Sequence, residues 1–110
     1  MDSPLHRYKA AFFKTLGHPL RLAILDALRA GPLSVTELQT ATSADQSMLS
    51  QQLSRLRTMH FVTTRREGTT VFYQVQDQDI YQFLDLARQI YGRQLKRSED
   101  ILTELNQASS

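Results

Sequence analysis

Apolar residues recur at steps of three and four along the start of the chain, the spacing typical of amphipathic helices. They predict a first helix over residues 5–16, ended by Gly17. Its apolar face consists of Leu5, Tyr8, Phe12, Phe13 and Leu16. Pro19 suits the first turn of a second helix, and His18 is expected to pack or cap at its start. The predicted buried stripe of that helix is Leu20, Ile24, Ala27 and Leu28.

A capping box marks a short third helix. The Ser34 hydroxyl and the Glu37 carboxylate are spaced to satisfy the free amides of its first turn. Val35 and Leu38 would enter the core, and residues 40–44 are predicted to form the following turn. The next helix is close behind this one in the sequence.

The fourth helix is predicted from the N-cap Asp45 through residues 46–59, with Leu49, Leu53 and Leu56 facing inward. Its outer face carries an amide and several small hydroxyls where a solvated helix usually carries Glu and Lys. The side chains on this stripe are Ser47, Ser50, Gln51, Ser54 and Thr58, flanked by Gln46, Arg55 and Arg57.

After His60 the hydrophobic pattern changes from helical to alternating. Residues 62–66 and 69–75 predict a β-hairpin with a turn at Glu67 and Gly68. The helical pattern then returns over residues 78–106, although Gly92 could bend or interrupt this helix. Its apolar stripe consists of Ile80, Phe83, Leu84, Ala87, Ile90, Tyr91, Leu95, Ile101, Leu102 and Leu105.

The order of these elements predicts a mainly α (α+β) fold. About five helices with a two-stranded hairpin after the polar-faced helix are typical of a winged helix–turn–helix. A chain of 110 residues has room for one such domain, residues 1–110.

Composition excludes several classes of protein. Because the chain has no cysteine, disulfides, thiolate metal sites and iron–sulfur clusters are excluded. No apolar run is long enough for a membrane span, and the N-terminus does not resemble a signal peptide, so we expect a cytoplasmic protein. No phosphate-binding loop, nucleophile elbow or metalloprotease motif occurs, so we do not expect an enzyme.

Positive charge is concentrated in the first two thirds of the chain, although the net charge is only +2. Residues 1–31 carry five basic and two acidic side chains, and residues 44–75 carry four basic and two acidic ones. A polyanion such as double-stranded DNA could bind this part. An ordinary solvated surface could also have this charge.

A helix that enters the major groove must present hydrogen-bond donors and acceptors to base edges, and glutamine and serine can do so. Arginines at the hairpin tip suit phosphates or a narrow minor groove. The predicted DNA-binding residues are Gln46, Ser47, Ser50, Gln51, Ser54, Arg55, Arg65 and Arg66.

Three segments in this order resemble the ArsR/SmtB family of dimeric bacterial repressors. They are HPLRLAILDAL at residues 18–28, DQSMLSQQLSRL at residues 45–56, and RREG with VFY at residues 65–68 and 71–73. The resemblance implies a homodimeric repressor that binds an inverted-repeat operator and is released by an effector. Where relatives commonly have glycine before the wing, this chain has His60, which would then serve a left-handed turn.

The metal-binding positions of the family are absent. The third helix has Ser34-Val35-Thr36 instead of a cysteine motif, and no histidine follows His60. The effector is therefore left unidentified: a metal, a small molecule or a partner protein. One alternative is a Ni²⁺ or Zn²⁺ site that joins His6 to carboxylates across the dimer, the candidates being Asp2, Asp85, Glu99 and Asp100.

The last helix has a longer apolar stripe than a small monomer can cover. We therefore predict a two-fold interface formed by residues 5–16 and 78–106. The predicted interface residues are Tyr8, Phe12, Phe13, Phe83, Leu84, Ala87, Ile90 and Tyr91. A different class of function, in which the winged-helix surface binds another protein, also remains open.

Overall fold

A computed structural model describes residues 3–108 of the protein. Residues 3–108 form five α-helices, a short 3₁₀ turn and three strands, which confirms the predicted mainly helical class. In chain order the elements are α1 (Pro4–Leu16), α2 (Pro19–Ala27), the 3₁₀ turn (Leu28–Ala30), β1 (Leu33–Ser34), α3 (Val35–Thr42), α4 (Gln46–Thr58), β2 (Val62–Glu67), β3 (Thr70–Val75) and α5 (Asp79–Ala108).

Each of the first four helices begins after a side chain that accepts a hydrogen bond from its first turn. These N-cap residues are Ser3, His18, Ser34 and Asp45. The capping box of Ser34 and Glu37 is present in both directions, and His18 Nδ1 accepts from the Leu20 amide at 3.2 Å. The predicted caps of α2, α3 and α4 are thus confirmed.

The core of residues 3–77 is built mainly from leucines and isoleucine of α2, the 3₁₀ turn, α3 and α4, and Leu16, Phe61, Val62 and Val75 complete it. Leu38, Leu49, Leu53 and Leu56 are buried as predicted. The predicted stripe of α2 needs a correction. The buried residues are Ile24 and Leu25 on α2 and Leu28 in the 3₁₀ turn that follows, whereas Leu20 and Ala27 are only half-buried. Because α2 contacts both α3 and α4, two adjacent residues of this helix can be buried.

The sheet has three strands in the order β1-β3-β2, not the predicted two. The hairpin of β2 and β3 is confirmed, and β1 adds to its other edge with Leu33 opposite Tyr73 and Ser34 opposite Phe72. The extra strand forms because residues 33–34 are extended on the approach to α3. They can therefore pair antiparallel with β3.

The third helix is longer than predicted and includes residues 40–42, for which the sequence predicts a turn. The hydroxyls of Thr40 and Thr42 donate to the carbonyls of Thr36 and Leu38, so these threonines are accommodated on the helix. Ser43 then takes a left-handed conformation (φ 59°) that ends it. The turn between α3 and α4 is therefore short.

The chain divides into two compact units, residues 1–77 and residues 78–110. Within the second unit α5 continues through Gly92 without interruption for 30 residues, about 45 Å at 1.5 Å per residue. From Phe83 onward most large apolar residues of α5 are exposed, among them Ile90, Tyr91 and Leu102. Within residues 3–108, no helix is apolar over a length that would cross a membrane.

Candidate nucleic-acid interface

The fourth helix is fixed to the core along one side only. Leu49, Leu53 and Leu56 are at most 1% exposed, and the helix contacts α2, α3 and β2. Because these leucines recur at helical spacing, the remaining faces of α4 are left in solvent. Every predicted DNA-binding residue of this helix is exposed: Gln46, Ser47, Ser50, Gln51, Ser54 and Arg55.

The exposed face of α4 is polar and almost free of negative charge. Asp45 is the only acidic residue, and its Oδ1 accepts the Met48 amide at 2.8 Å to cap the helix. Gln51 can both donate and accept through its side-chain amide, and serine hydroxyls can do the same. The face can therefore read hydrogen-bonding groups and does not repel a phosphate backbone.

Sequence reasoning missed two residues of α4. Met48 is 51% exposed in the first turn and is a large apolar side chain beside the polar stripe. Its place in the helical pattern, outside the leucine stripe, could have identified it. Gln52 is half-buried, and its Oε1 accepts a hydrogen bond from Arg21 Nε at 2.7 Å. No local signal predicts that contact, because the two residues are 31 positions apart in sequence.

Arg21 also donates from Nη1 to the carbonyl of Thr15 at 3.2 Å, so it contacts both the end of α1 and the side of α4. Burial lowers the pKa of this guanidinium below its usual value, and the positive charge of Arg55 lowers it further. Among residues 3–108, no acidic side chain is paired with Arg21. Neutral acceptors alone hold this cation.

The wing is the hairpin of β2 and β3. Glu67 pairs with Thr70, which leaves a two-residue loop where Gly68 takes a positive φ of 62° that favours glycine. The predicted turn at Glu67 and Gly68 is thus one residue too early, because Glu67 still belongs to the ladder. The two arginines therefore lie in the paired part of the strand, close to the tip.

Arg65 and Arg66 face opposite sides of β2, because successive side chains alternate along a strand. Arg65 forms a 3.1 Å ion pair with Glu67, and its guanidinium carbon lies 6.0 Å from the centre of the Phe72 ring. Arg66 has no acidic partner within the described chain. The two cations, which the sequence did not distinguish, thus differ in how freely they can bind an anion.

The three histidines have local roles in this structure. His60 precedes the wing with φ 64°, so the left-handed turn expected at this position is confirmed. His6 is exposed, and its Nδ1 lies 2.9 Å from Ser3 Oγ. Within residues 3–108, no three His, Asp or Glu side chains come close enough to hold a metal ion. Asp2, one of the carboxylates considered for His6, lies outside the described residues.

The residues predicted for the dimer interface differ in exposure. On α1, Tyr8 and Phe13 are each 57% exposed, whereas Phe12 is half-buried with its ring centre 5.0 Å from that of Phe61. On α5, Phe83, Ile90 and Tyr91 are exposed, and Leu84 and Ala87 are half-buried. Both helices therefore present apolar surface to solvent in the single chain.

A helix that packs on a helical core, exposes a polar face and is followed by a hairpin wing defines a winged helix–turn–helix protein. The chain matches the family model described as "Bacterial regulatory protein, arsR family" over residues 18–64. It is 39% identical over 110 residues to the HTH-type transcriptional regulator Rv0081 of Mycobacterium tuberculosis, covering 99% of this chain and 96% of that protein. The chain belongs to the arsR family of bacterial transcriptional regulators.

Three other comparisons agree with this assignment. A biofilm growth-associated repressor of Xylella fastidiosa is 36% identical over 89 residues, or 81% of this chain and 78% of that protein. The crystal structure of Rv0081 superposes with a TM-score of 0.82 at 40% identity, over 88% of this chain and 98% of that one. A solution structure of Mb0332 from Mycobacterium bovis, described as a homodimeric winged helix-turn-helix DNA-binding domain, gives a TM-score of 0.76 at 29% identity. That match covers 87% of this chain and 93% of the other.

Proposed function

We propose that this regulator binds an inverted-repeat operator as a homodimer and represses transcription by occluding the promoter. The observation that carries the proposal is the exposed face of α4, which is polar, nearly free of acid and fixed by three buried leucines. Glutamine can pair with adenine through two hydrogen bonds, and serine can reach bases or phosphates. The residues assigned to DNA are Gln46, Ser47, Ser50, Gln51, Ser54, Arg55, Arg65 and Arg66.

Homodimerisation is supported by the exposed apolar surface of α1 and α5. Tyr8, Phe13, Ile90 and Tyr91 are each about half exposed in one chain, and such surface usually marks an interface. The homodimeric structure of Mb0332 offers a precedent in the same fold. A two-fold axis would place two copies of α4 about 34–36 Å apart, the spacing of successive major grooves. An operator with inverted repeats follows from that symmetry.

Repression is the regulatory outcome we assign, with the Xylella fastidiosa repressor as the supporting relative. A dimer on an operator that overlaps a promoter excludes the polymerase from the same DNA. Since bacterial promoters lie in the cytoplasm, we expect the protein to act there. Transcription in vitro from a template that carries the selected operator checks this assignment, and increased transcript would contradict it.

The effector is a separate question. A metal would need several convergent ligands, and within residues 3–108 one chain brings no such group together. The described residues of a single chain therefore do not complete a Ni²⁺ or Zn²⁺ site, and a His6 site would need carboxylates from the partner subunit. Calorimetric titration of the protein with each metal tests a His6 site shared across the dimer. Binding that disappears in His6→Ala would restore the metal alternative.

DNA binding is tested by selecting duplexes from a random pool and measuring affinity for a selected and a scrambled duplex. We expect a preference for the selected duplex and a log–log salt slope of about −0.9 per phosphate neutralised. Binding to neither duplex would favour the alternative, in which the winged-helix surface binds another protein. Sedimentation at tens of micromolar measures the oligomeric state, and a monomer would contradict the symmetric operator.

A further inference from the structure

One arginine joins three helices of the first unit. Arg21 lies on α2 and donates from Nε to Gln52 Oε1 on α4 at 2.7 Å. The same guanidinium donates from Nη1 to the Thr15 carbonyl in the last turn of α1 at 3.2 Å. That carbonyl is one of the helix-end acceptors that lack a partner within the helix. A single side chain therefore fixes the end of α1 and the side of α4 relative to each other.

The geometry of this contact requires a guanidinium. Its donors form a rigid planar fork, so two bonds in different directions restrict both partners at once. Lysine would keep the charge, but its ammonium group at the end of a flexible chain cannot reproduce the fork. Both acceptors are neutral and Arg21 is half-buried, so positioning explains this arrangement better than charge neutralisation.

Gln52 is well placed to transmit this restraint to the face that reads DNA. It follows Gln51 directly and lies one turn from Met48 and Arg55, so a rotation of α4 at Gln52 moves all three. The buried leucines set which side of α4 faces the core, but apolar contacts are non-directional and restrain small rotations of the helix less tightly. A directional hydrogen bond on the flank of the helix supplies that restraint.

We propose that Arg21 and Gln52 form a positioning pair that fixes the orientation of α4, so that the regulator distinguishes its operator from other DNA. This inference rests on the proposed function, because it assigns to the pair the precision of operator recognition. Neither residue is assigned a contact with DNA. The pair affects the ratio of operator affinity to non-specific affinity, while non-specific affinity depends on charge.

A different role for Arg21, a direct contact with a DNA phosphate, makes opposite predictions. Lysine also binds phosphate as a point charge, so Arg21→Lys would then bind like the wild type. In that role Gln52→Leu would have no effect on discrimination. Under the positioning role, both substitutions reduce discrimination between operator and other DNA. Arg21→Lys does so although the charge is kept, and Gln52→Leu does so although no charge is changed.

The experiment uses the full-length protein and measures affinity for the selected duplex and for a scrambled duplex of the same composition. We expect Gln52→Leu and Arg21→Lys each to lower the affinity ratio about tenfold, with unchanged salt slope and affinity for the scrambled duplex. The double variant should be no worse than the poorer single variant. Gln52→Glu should keep the wild-type ratio, because a carboxylate oxygen accepts the same bond. Gln89→Leu, on exposed α5, is the matched control.

A second measurement detects the hydrogen bond itself in the free protein. The Nε–H proton of Arg21 should exchange slowly with water in the NMR spectrum of the wild type and of Gln52→Glu, and rapidly in Gln52→Leu. Thermal unfolding of each variant ensures that binding is measured on folded protein. If Gln52→Leu does not fold, Arg21→Lys and Gln52→Glu still decide the question.

The binding measurements distinguish a failure of the positioning role from a failure of the proposed function. Equal affinity of the wild type for both duplexes would overturn the proposed function, and this inference with it. Discrimination that survives in Gln52→Leu or in Arg21→Lys would overturn the positioning role and leave the proposed function intact. Loss of discrimination in Gln52→Glu equal to that in Gln52→Leu would also overturn it, because the accepting oxygen would then not matter.

Discussion

The fourth helix and the wing tip both present polar side chains to solvent, but they are held in different ways. Three buried leucines, the Asp45 cap and the Arg21–Gln52 contact restrain α4. At the wing tip both strands are exposed and the restraints are the β2–β3 ladder and the partners of Arg65. The helix therefore offers mainly neutral groups, with Arg55 beside them, at fixed positions, whereas the wing offers cations on long side chains.

This difference assigns different parts of DNA binding to the two surfaces. Reading a base edge needs donors and acceptors in fixed geometry, which a restrained helix supplies. Attraction to phosphates needs charge and tolerates movement, which a wing supplies. We accordingly expect substitutions on α4 to change sequence preference, and substitutions on the wing to change affinity for all duplexes alike.

The largest effect on DNA binding should come from a substitution that dissociates the homodimer, because the dimer presents two copies of α4 and of the wing. Phe83→Asp places a carboxylate in the predicted apolar interface, where burial of an unpaired charge costs several kcal/mol. We expect sedimentation to show a monomer and operator affinity to fall at least about 100-fold, or about 2.7 kcal/mol. Gln89→Asp, which adds the same charge on the opposite face of α5, should remain dimeric. A dimeric Phe83→Asp would contradict the assignment of this face.

The next largest effect should come from α4. Gln51→Ala removes a side-chain amide that can form two hydrogen bonds with a base, and we expect a loss of about 1–3 kcal/mol per discriminating contact. The loss should be confined to one base pair of each half-site, measured as competition among duplexes with single substitutions. Gln89→Ala is the matched control. An equal loss of affinity for all duplexes would contradict the proposal that α4 determines sequence preference and the wing determines overall affinity.

A smaller effect is expected from the wing, and its two arginines should differ. Arg66→Ala should weaken the selected and scrambled duplexes equally and reduce the salt slope by about 0.9 for each subunit of the dimer. Arg65→Ala should do less, because Glu67 already neutralises this side chain at 3.1 Å. Titrations at several salt concentrations measure both. A larger effect at Arg65 than at Arg66 would contradict the inference that Arg66 is the freer of the two to bind phosphate.

The smallest effect concerns the junction between the two surfaces. His60 joins α4 to the wing with φ 64°, which costs a side-chain-bearing residue more than glycine. We expect His60→Gly to stabilise the fold by about 0.5 kcal/mol in urea unfolding. Glycine removes the strain of the left-handed conformation, but it loses more conformational entropy on folding, which offsets part of that gain. DNA binding should not change. His60→Val should be destabilising, because β-branched residues tolerate this conformation poorly.

The sequence predicted the elements whose pattern is local. The leucines of α4, the capping box of Ser34 and Glu37, and the residues that predict β2 each lie within a short segment of the sequence, and the structure confirms the helix, the cap and the strand. It did not predict β1, since two residues are too few for an alternating pattern and the partner strand lies about 40 positions away. The contact of Arg21 with Gln52 was missed for the same reason.

The candidate site was predictable in composition and less so in geometry. Helical spacing identified Gln51 and Ser50 as exposed residues of α4, and both are exposed. Strand alternation places Arg65 on the same face as Glu67, and Arg66 on the other face, but the approach of Arg65 to the Phe72 ring depends on the pairing of β2 with β3. Charge at a wing tip can thus be read from sequence, whereas the contacts that each charge makes across the strands cannot.

The alternation of Arg65 and Arg66 across β2 also limits how the wing can change in evolution. Val62 is buried, so the orientation of the strand is set from its base. An insertion or deletion of one residue between Val62 and Arg65 would move every following side chain to the opposite face. A change of two residues would preserve the faces. Among descendants of this sequence that retain its function, we therefore expect the length of this strand to vary in even steps.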